Sequence, residues 1–202
     1  MTFIIVKDLI VSSKAKDEMI EGALSLLAVN GLQATSFSDV LKLTGAPRGS
    51  IYHHFPKGKE QLISAALKLS EARTNEAIRK LGGKNSVEIT EGFLELWRQL
   101  LVHSHFTAGC SAVAVTVATD SSDLLESATS IFRSWQSTLT EIFESAGLSL
   151  KVAAQFATTL IAASEGAVVM SRAEKNIKPF ESVASYLVQQ AAQLTDAVTN
   201  NN

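Results

Sequence analysis

Apolar residues recur at three- and four-residue intervals along most of the chain, the spacing of helices that each bury one face. Ala15, Met19, Ile20, Ala23, Leu24 and Leu27 form the first stripe, expected to begin near Ser12-Ser13 and to close at Asn30-Gly31. Phe37, Val40 and Leu41 form a second, introduced by Ser36 with Asp39 at the spacing of a capping box and stopped by Thr44-Gly45. Ile51 and Phe55 mark a third, short helix that Pro47 suits at its first turn. Leu62, Ala66 and Leu69 lead into a long helix expected to reach Lys80. Gly82-Gly83-Lys84-Asn85 is the clearest break. Beyond it, Phe93, Trp97, Leu100 and Leu101 mark one helix, and Leu124, Ala128, Ile131, Phe132, Trp135, Leu139 and Ile142 another, ended by Gly147. Residues 152–171 and 180–194 supply two more, and the terminal Thr199-Asn200-Asn201-Asn202 reads as a frayed tail.

The third helix has two unlike sides. Ile51 and Phe55 are its only residues suited to a core, so Gly49 and His53, flanked by Ser50 and Tyr52 and preceded by Arg48, face outward. A glycine lets a helix backbone come close to another surface, and Ser, Tyr, His and Arg all donate hydrogen bonds to phosphates or base edges. Helix, glycine turn, helix is the arrangement that sets a second helix in the DNA major groove. Lys57 and Lys59 follow, at the start of the next helix, where ammonium groups and free backbone N–H groups can both meet phosphate. The same pattern also suits an ordinary helical hairpin with a polar outer surface.

The run from Thr35 to Leu62, TSFSDVLKLTGAPRGSIYHHFPKGKEQL, closely resembles the signature of the TetR family of bacterial transcriptional regulators. The resemblance implies an all-α chain of about nine helices. A three-helix helix-turn-helix DNA-binding domain would cover residues 1–58, and a larger effector-binding and dimerisation domain residues 59–202. It implies Ser36, Thr44, Arg48, Gly49, Ser50, Tyr52, His53, Lys57 and Lys59 as DNA-binding residues. It also implies a dimer through the last two long helices, whose paired heads, about 34 Å apart, match one turn of a palindromic operator.

Composition narrows this only a little. The 202 residues, 46% of them hydrophobic, suffice for a small head, a larger core and a buried interface, and only three prolines interrupt them. The net charge of −2 confines any DNA contact to a local patch. Residues 1–60 carry seven Lys and Arg against six Asp and Glu, and the remainder eleven against fourteen. A single cysteine, Cys110, rules out an internal disulfide and suits a reducing cytosol. The apolar start MTFIIVKDLIV, interrupted by Lys7 and Asp8, lacks a cleavage site and reads as an arm packed on the domain or reaching a minor groove. No uninterrupted apolar run is long enough to span a membrane, so a cytoplasmic protein without membrane contact is expected.

In the larger domain, residues 152–171 are small and apolar nearly all round, which requires burial on every side. With the striped helix that follows, this points to a four-helix dimer interface using Phe156, Leu160, Phe180, Leu187 and Leu194. Trp97, Phe106, Phe132 and Trp135 are candidates to line an apolar effector pocket, or plain core. Glu165, inside LIAASEGAVVM, needs a partner, a proton or a polar cavity, and Arg172 two turns on is the candidate partner. His103, His105 and Cys110 lack metal-site spacing, so no metal or other cofactor is expected. No nucleophile elbow, P-loop or dinucleotide fingerprint appears, so no enzyme is expected either.

GCSAVAV from Gly109 and EGAVVMSR from Glu165 look like pieces of the LmrA/YxaF-type branch of that family, some of whose members answer to aromatic natural products or antibiotics. The resemblance adds Cys110 and Glu165 to the effector set, although Ser111 stands where the branch often has proline. The reading is then a ligand-responsive regulator, most simply a repressor. The alternative is a small-molecule-binding helical protein without a specific operator.

Overall fold

The computed structural model describes residues 2–199, with side-chain environments for residues 14–197. Among the described residues the chain is all helical, in nine helices. They are α1 (Thr2–Asn30), α2 (Phe37–Thr44), α3 (Arg48–His54), α4 (Lys59–Arg79), α5 (Ser86–His103), α6 (Ser111–Thr116), α7 (Ser122–Ser145), α8 (Leu150–Glu174) and α9 (Lys178–Thr199). Helix α1 begins well before Ser12, because the apolar start continues the helical run. Whether that start acts as an arm, and whether the final residues fray, lie outside the described side chains.

Local chemistry sets the helix ends. Ser36 and Asp39 form the reciprocal cap, with Asp39 N–H donating to Ser36 Oγ and Ser36 N–H to Asp39 Oδ2, each at 3.2 Å. Gly45 ends α2 in the left-handed region at φ 71°, its N–H donating to Leu41 O at 2.9 Å. Asn85 and Glu88 repeat the reciprocal cap at α5. At the other end of α5, His105 N–H reaches Val102 O and Phe106 N–H reaches Leu101 O, a Schellman stop built without glycine. His105 and Phe106 accordingly take φ of 50° and 61°. Helix α6 starts at Ser111, so serine where proline is common still begins a helix.

By packing, the chain divides into two units, Met1–Ser70 with Ser111–Thr129, and Glu71–Cys110 with Ser130–Asn202. This differs from the boundary expected at residue 58. Helices α4 and α7 each contribute to both units, and α6 packs with the N-terminal helices.

Polar ties explain why the first unit takes in the 111–129 segment. Gln33 Nε2 donates to Ala118 O at 2.9 Å, Ser121 Oγ to Glu60 Oε2 at 3.1 Å, and the hydroxyls of Ser64 and Ser127 meet at 3.1 Å. The core of this unit is Met19, Ala23, Leu27, Val40, Ile51, Phe55, Leu62 and Ala66, joined by Ala112, Val115 and Leu124.

In the second unit, α5, α8 and α9 pack together over Phe93, Leu101, Phe156, Leu160, Phe180 and Leu187. Arg98 of α5 holds Glu181 of α9 with two bonds, Nε to Oε1 at 2.7 Å and Nη2 to Oε2 at 3.0 Å, and also pairs with Glu95. These carboxylates hold the Arg98 guanidinium well above its ordinary range, the Glu181 bonds contributing most. Asn75, buried, donates to Ser134 Oγ at 2.6 Å and accepts from Thr138 Oγ1 at 3.2 Å, pinning α4 to α7.

Helix α8 has the length and hydropathy to cross a bilayer, contrary to the expectation that no segment does, yet half of its most apolar window is buried within the folded chain. Within the single chain one side of α8 is open, the side left for the subunit interface expected there. Ala154, Thr158, Ala162, Gly166, Val169 and Met170 are exposed.

Candidate functional site

Helix α3 is anchored by Ile51, fully buried, and by Phe55 just after it, 1% exposed. That anchorage turns Arg48, Gly49, Tyr52 and His53 outward, all exposed, with Ser50 half-buried beside them. Tyr52 is 66% exposed and meets the ring of Phe37 edge-on at 5.6 Å, so α2 holds the base of the phenol while its hydroxyl end stays in water. No atom lies within 4 Å of where a Cβ on Gly49 would sit, so nothing inside the chain requires glycine there. The side chains of Arg48, Tyr52, His53 and Lys57 make no hydrogen bond or ion pair with described residues. Partial burial, with the charges of His53 and Lys16 nearby, holds His54 below the ordinary imidazole range.

Three other residues expected at the DNA are engaged within the fold. Ser36 is the cap of α2, and Thr44 Oγ1 donates to Val40 O at 2.8 Å. Lys59 Nζ donates at 2.7 Å to Leu32 O, just past the end of α1, and is half-buried. One N–H of the ammonium thus ties α4 to the loop after α1, where a free phosphate-facing lysine was expected. Lys57 N–H is satisfied by Gln61 Oε1 at 3.0 Å, leaving its ammonium exposed.

The effector candidates fall into groups. Trp97 and Trp135 stack edge-on at 6.1 Å, Phe132 meets Trp135 at 5.8 Å and Phe93 meets Trp97 at 6.4 Å, one continuous aromatic cluster in the second unit. Trp97 and Trp135 are 8% and 1% exposed, and neither indole Nε1 has a hydrogen-bond partner. Phe106 is half-buried in the left-handed turn after α5 and has no ring contact with that cluster.

Glu165 and Cys110 form a second group, both buried. Burial pushes the Glu165 carboxyl up to about 7, against a smaller opposing pull from the Cys110 thiol. The ion pair expected between Glu165 and Arg172 does not form: neither carboxylate oxygen has a nitrogen or oxygen partner, while Arg172 Nη2 donates to Thr107 O at 2.9 Å. Helical spacing placed the two residues on one face, but the loop before α6 took up the guanidinium.

The interface residues also need correcting. Phe156, Leu160, Phe180 and Leu187 are enclosed in the chain's own core and Leu194 is half-buried, so the first four have almost no surface to offer a second copy. The surface that remains comprises the small residues of α8 with Val169, Met170 and, on α9, Tyr186. Sequence reasoning also missed the Asn75 network and the Arg98–Glu181 clamp. Neither follows a helical spacing, since each joins residues at least 59 positions apart.

A short helix anchored by two apolar residues, with a donor-rich outer face behind a glycine turn, has the arrangement of a helix-turn-helix DNA-binding unit. Comparison with known proteins carries this further. Residues 19–66 match the bacterial regulatory protein family TetR, and residues 86–186 match the LmrA/YxaF-like transcriptional regulator C-terminal domain. The HTH-type transcriptional regulator Rv0196 of Mycobacterium tuberculosis is 30% identical over 175 residues, covering 83% of this chain and 89% of that protein. The regulator LmrA of Bacillus subtilis is 25% identical over 85% of this chain and 93% of its own length. A TetR transcriptional regulator from Chloroflexus aurantiacus, solved as a crystal structure, superposes with a TM-score of 0.73 at 26% identity, covering 90% of this chain and 96% of its own. The chain belongs to the TetR family of DNA-binding transcriptional regulators, a family of regulators rather than enzymes.

Proposed function

We propose that the protein is a homodimeric, cytoplasmic repressor that leaves a palindromic operator when a small apolar or aromatic effector occupies its second unit. The outer face of α3 is the observation that carries this. Arg48, Tyr52, His53 and Lys57 are exposed and make no hydrogen bond or ion pair with other described residues, so DNA contacts displace water rather than internal bonds. Ser50 and the bare backbone at Gly49 complete a face that a major groove can receive. Two copies would meet through the exposed faces of α8 and α9, around Gly166, Val169, Met170 and Tyr186.

Effector binding acts through a shift between two arrangements of the heads, and its size is the effector's difference in affinity for the two. The chain passes from the second unit to the first between Cys110 and Ser111, so an effector beside Cys110 bears on the segment that leads directly into α6.

The test is fluorescence anisotropy of the purified protein on labelled DNA from upstream of its own gene, with excess nonspecific competitor and at two salt concentrations. Saturable binding that survives competitor supports the repressor reading and supplies the operator. If binding is abolished by competitor there and on random-sequence DNA, the protein is a helical small-molecule binder without an operator.

A further inference from the structure

Among the described residues, the buried side-chain polar atoms without a partner are Ser86 Oγ, the Nε1 atoms of Trp97 and Trp135, and both oxygens of Glu165, all within the second unit. An unpaired indole or hydroxyl is a modest loss, whereas an unpaired carboxyl is the group proteins almost always pair or neutralise. Glu165 is 9% exposed, and Ile161 and Val168, on the same face of α8, are buried apolar residues.

The neighbours leave the carboxyl uncompensated. Opposite it is the loop before α6, whose Cys110 thiol is only a weak donor. Arg172 is directed at Thr107 O and lies against Gly109, where a Cβ would come within 2.6 Å of Nη1. Elsewhere in the unit, His103 and His105 are exposed and Arg98 is held by Glu95 and Glu181. Among the described residues, no titratable group apart from Cys110 bears on Glu165. A metal ion does not suit the site, because no cluster of three His, Cys, Asp or Glu occurs among the described residues.

A neutral donor would leave the charge of a buried carboxylate in place, whereas a cation supplies both the hydrogen bond and the opposite charge. We propose that Glu165, with Cys110 beside it, is a binding site for a protonated amine on an apolar skeleton. Naming this amine as the effector rests on the regulator reading above.

Two probes of one shape test it: naphthylmethylamine, protonated near neutral pH, and naphthylmethanol, its neutral counterpart. Calorimetry on the full chain at pH 8 is expected to show the amine binding about tenfold or more tighter than the alcohol. That advantage shrinks at pH 6 as the carboxyl takes up its proton. Glu165→Gln, similar in shape, should bring the amine down to the alcohol's affinity and leave the alcohol unchanged, while Glu165→Asp keeps part of the preference. Equal binding of the two probes, or an amine advantage that survives Glu165→Gln, overturns the proposal. So does binding of neither. Release of operator DNA by both probes alike would keep the effector reading while ending the amine proposal. An amine preference without any effect on bound DNA would do the reverse.

Discussion

The outer face of α3 and the interior around Glu165 both present polar groups without a hydrogen-bond or ion-pair partner among the described residues, but only the first set is in water. Arg48, His53 and Lys57 are exposed and already solvated, so their lack of partners does not weaken the fold. The oxygens of Glu165 are shut away from solvent, so their lack of partners is a standing penalty. A surface for a large charged partner is thus silent in stability until the partner arrives. A buried acceptor shows itself in the unliganded protein.

The largest effect that sharpens this contrast comes from the side of α3 opposite its open face. Phe55→Ala should remove about 3–5 kcal/mol of stability, measured by urea denaturation, and abolish DNA binding only by unfolding the head. Stability near that of the parent chain would show that Phe55 does not anchor α3.

Next is the pH dependence of Glu165. Its folded carboxyl titrates at about 7 rather than 4.5, so the folded state holds the proton more tightly than the unfolded one. The penalty is absent below 4.5, grows as pH rises, and is complete above about 7, where it is on the order of 3 kcal/mol. Glu165→Gln should therefore be the more stable protein at pH 8, with little difference at pH 4.5. A parent chain that grows more stable than the variant between those values would mean that the carboxylate has a partner after all.

Arg48→Ala is the counterpart on the open face. It should leave the thermal midpoint unchanged and weaken operator binding by about 1–3 kcal/mol. A falling midpoint would show that the guanidinium belongs to the fold.

The smallest effect separates two lysines that look alike in sequence. Lys57→Met should lower the salt dependence of DNA binding by about one ion. Lys59→Met should leave that slope intact and remove about 1 kcal/mol from the stability of the head, the value of one hydrogen bond to Leu32 O. Equal losses of slope would return Lys59 to the phosphate-facing set.

Much of the head was legible because its signals are local. Ser36 with Asp39, Gly45 after Thr44, and Ile51 with Phe55 each act through backbone geometry within one turn, and the structure shows the caps and buried side they announce. The larger unit was read less well. Periodicity marked α8 as apolar nearly all round, but a single-chain pattern carries no record of which face meets its own α5 and α9. Phe156 and Leu160 went into that core together with Ala153, Ala157 and Ala167, while Ala154, Ala162, Val169 and Met170 stayed outside. Likewise, residues two turns apart on α8 share a face, yet Arg172 found Thr107 O rather than Glu165.

From its residues alone this protein determined its family, its all-helical character and the anchored, two-sided third helix, because capping, glycine stops and helical spacing are decided by near neighbours. Tertiary structure alone decided that Lys59 is tied to the end of α1, that α6 packs with the head, and that Glu165 is buried without a countercharge. Those outcomes depend on which distant segments come to lie side by side, and spacing along the chain does not encode that proximity.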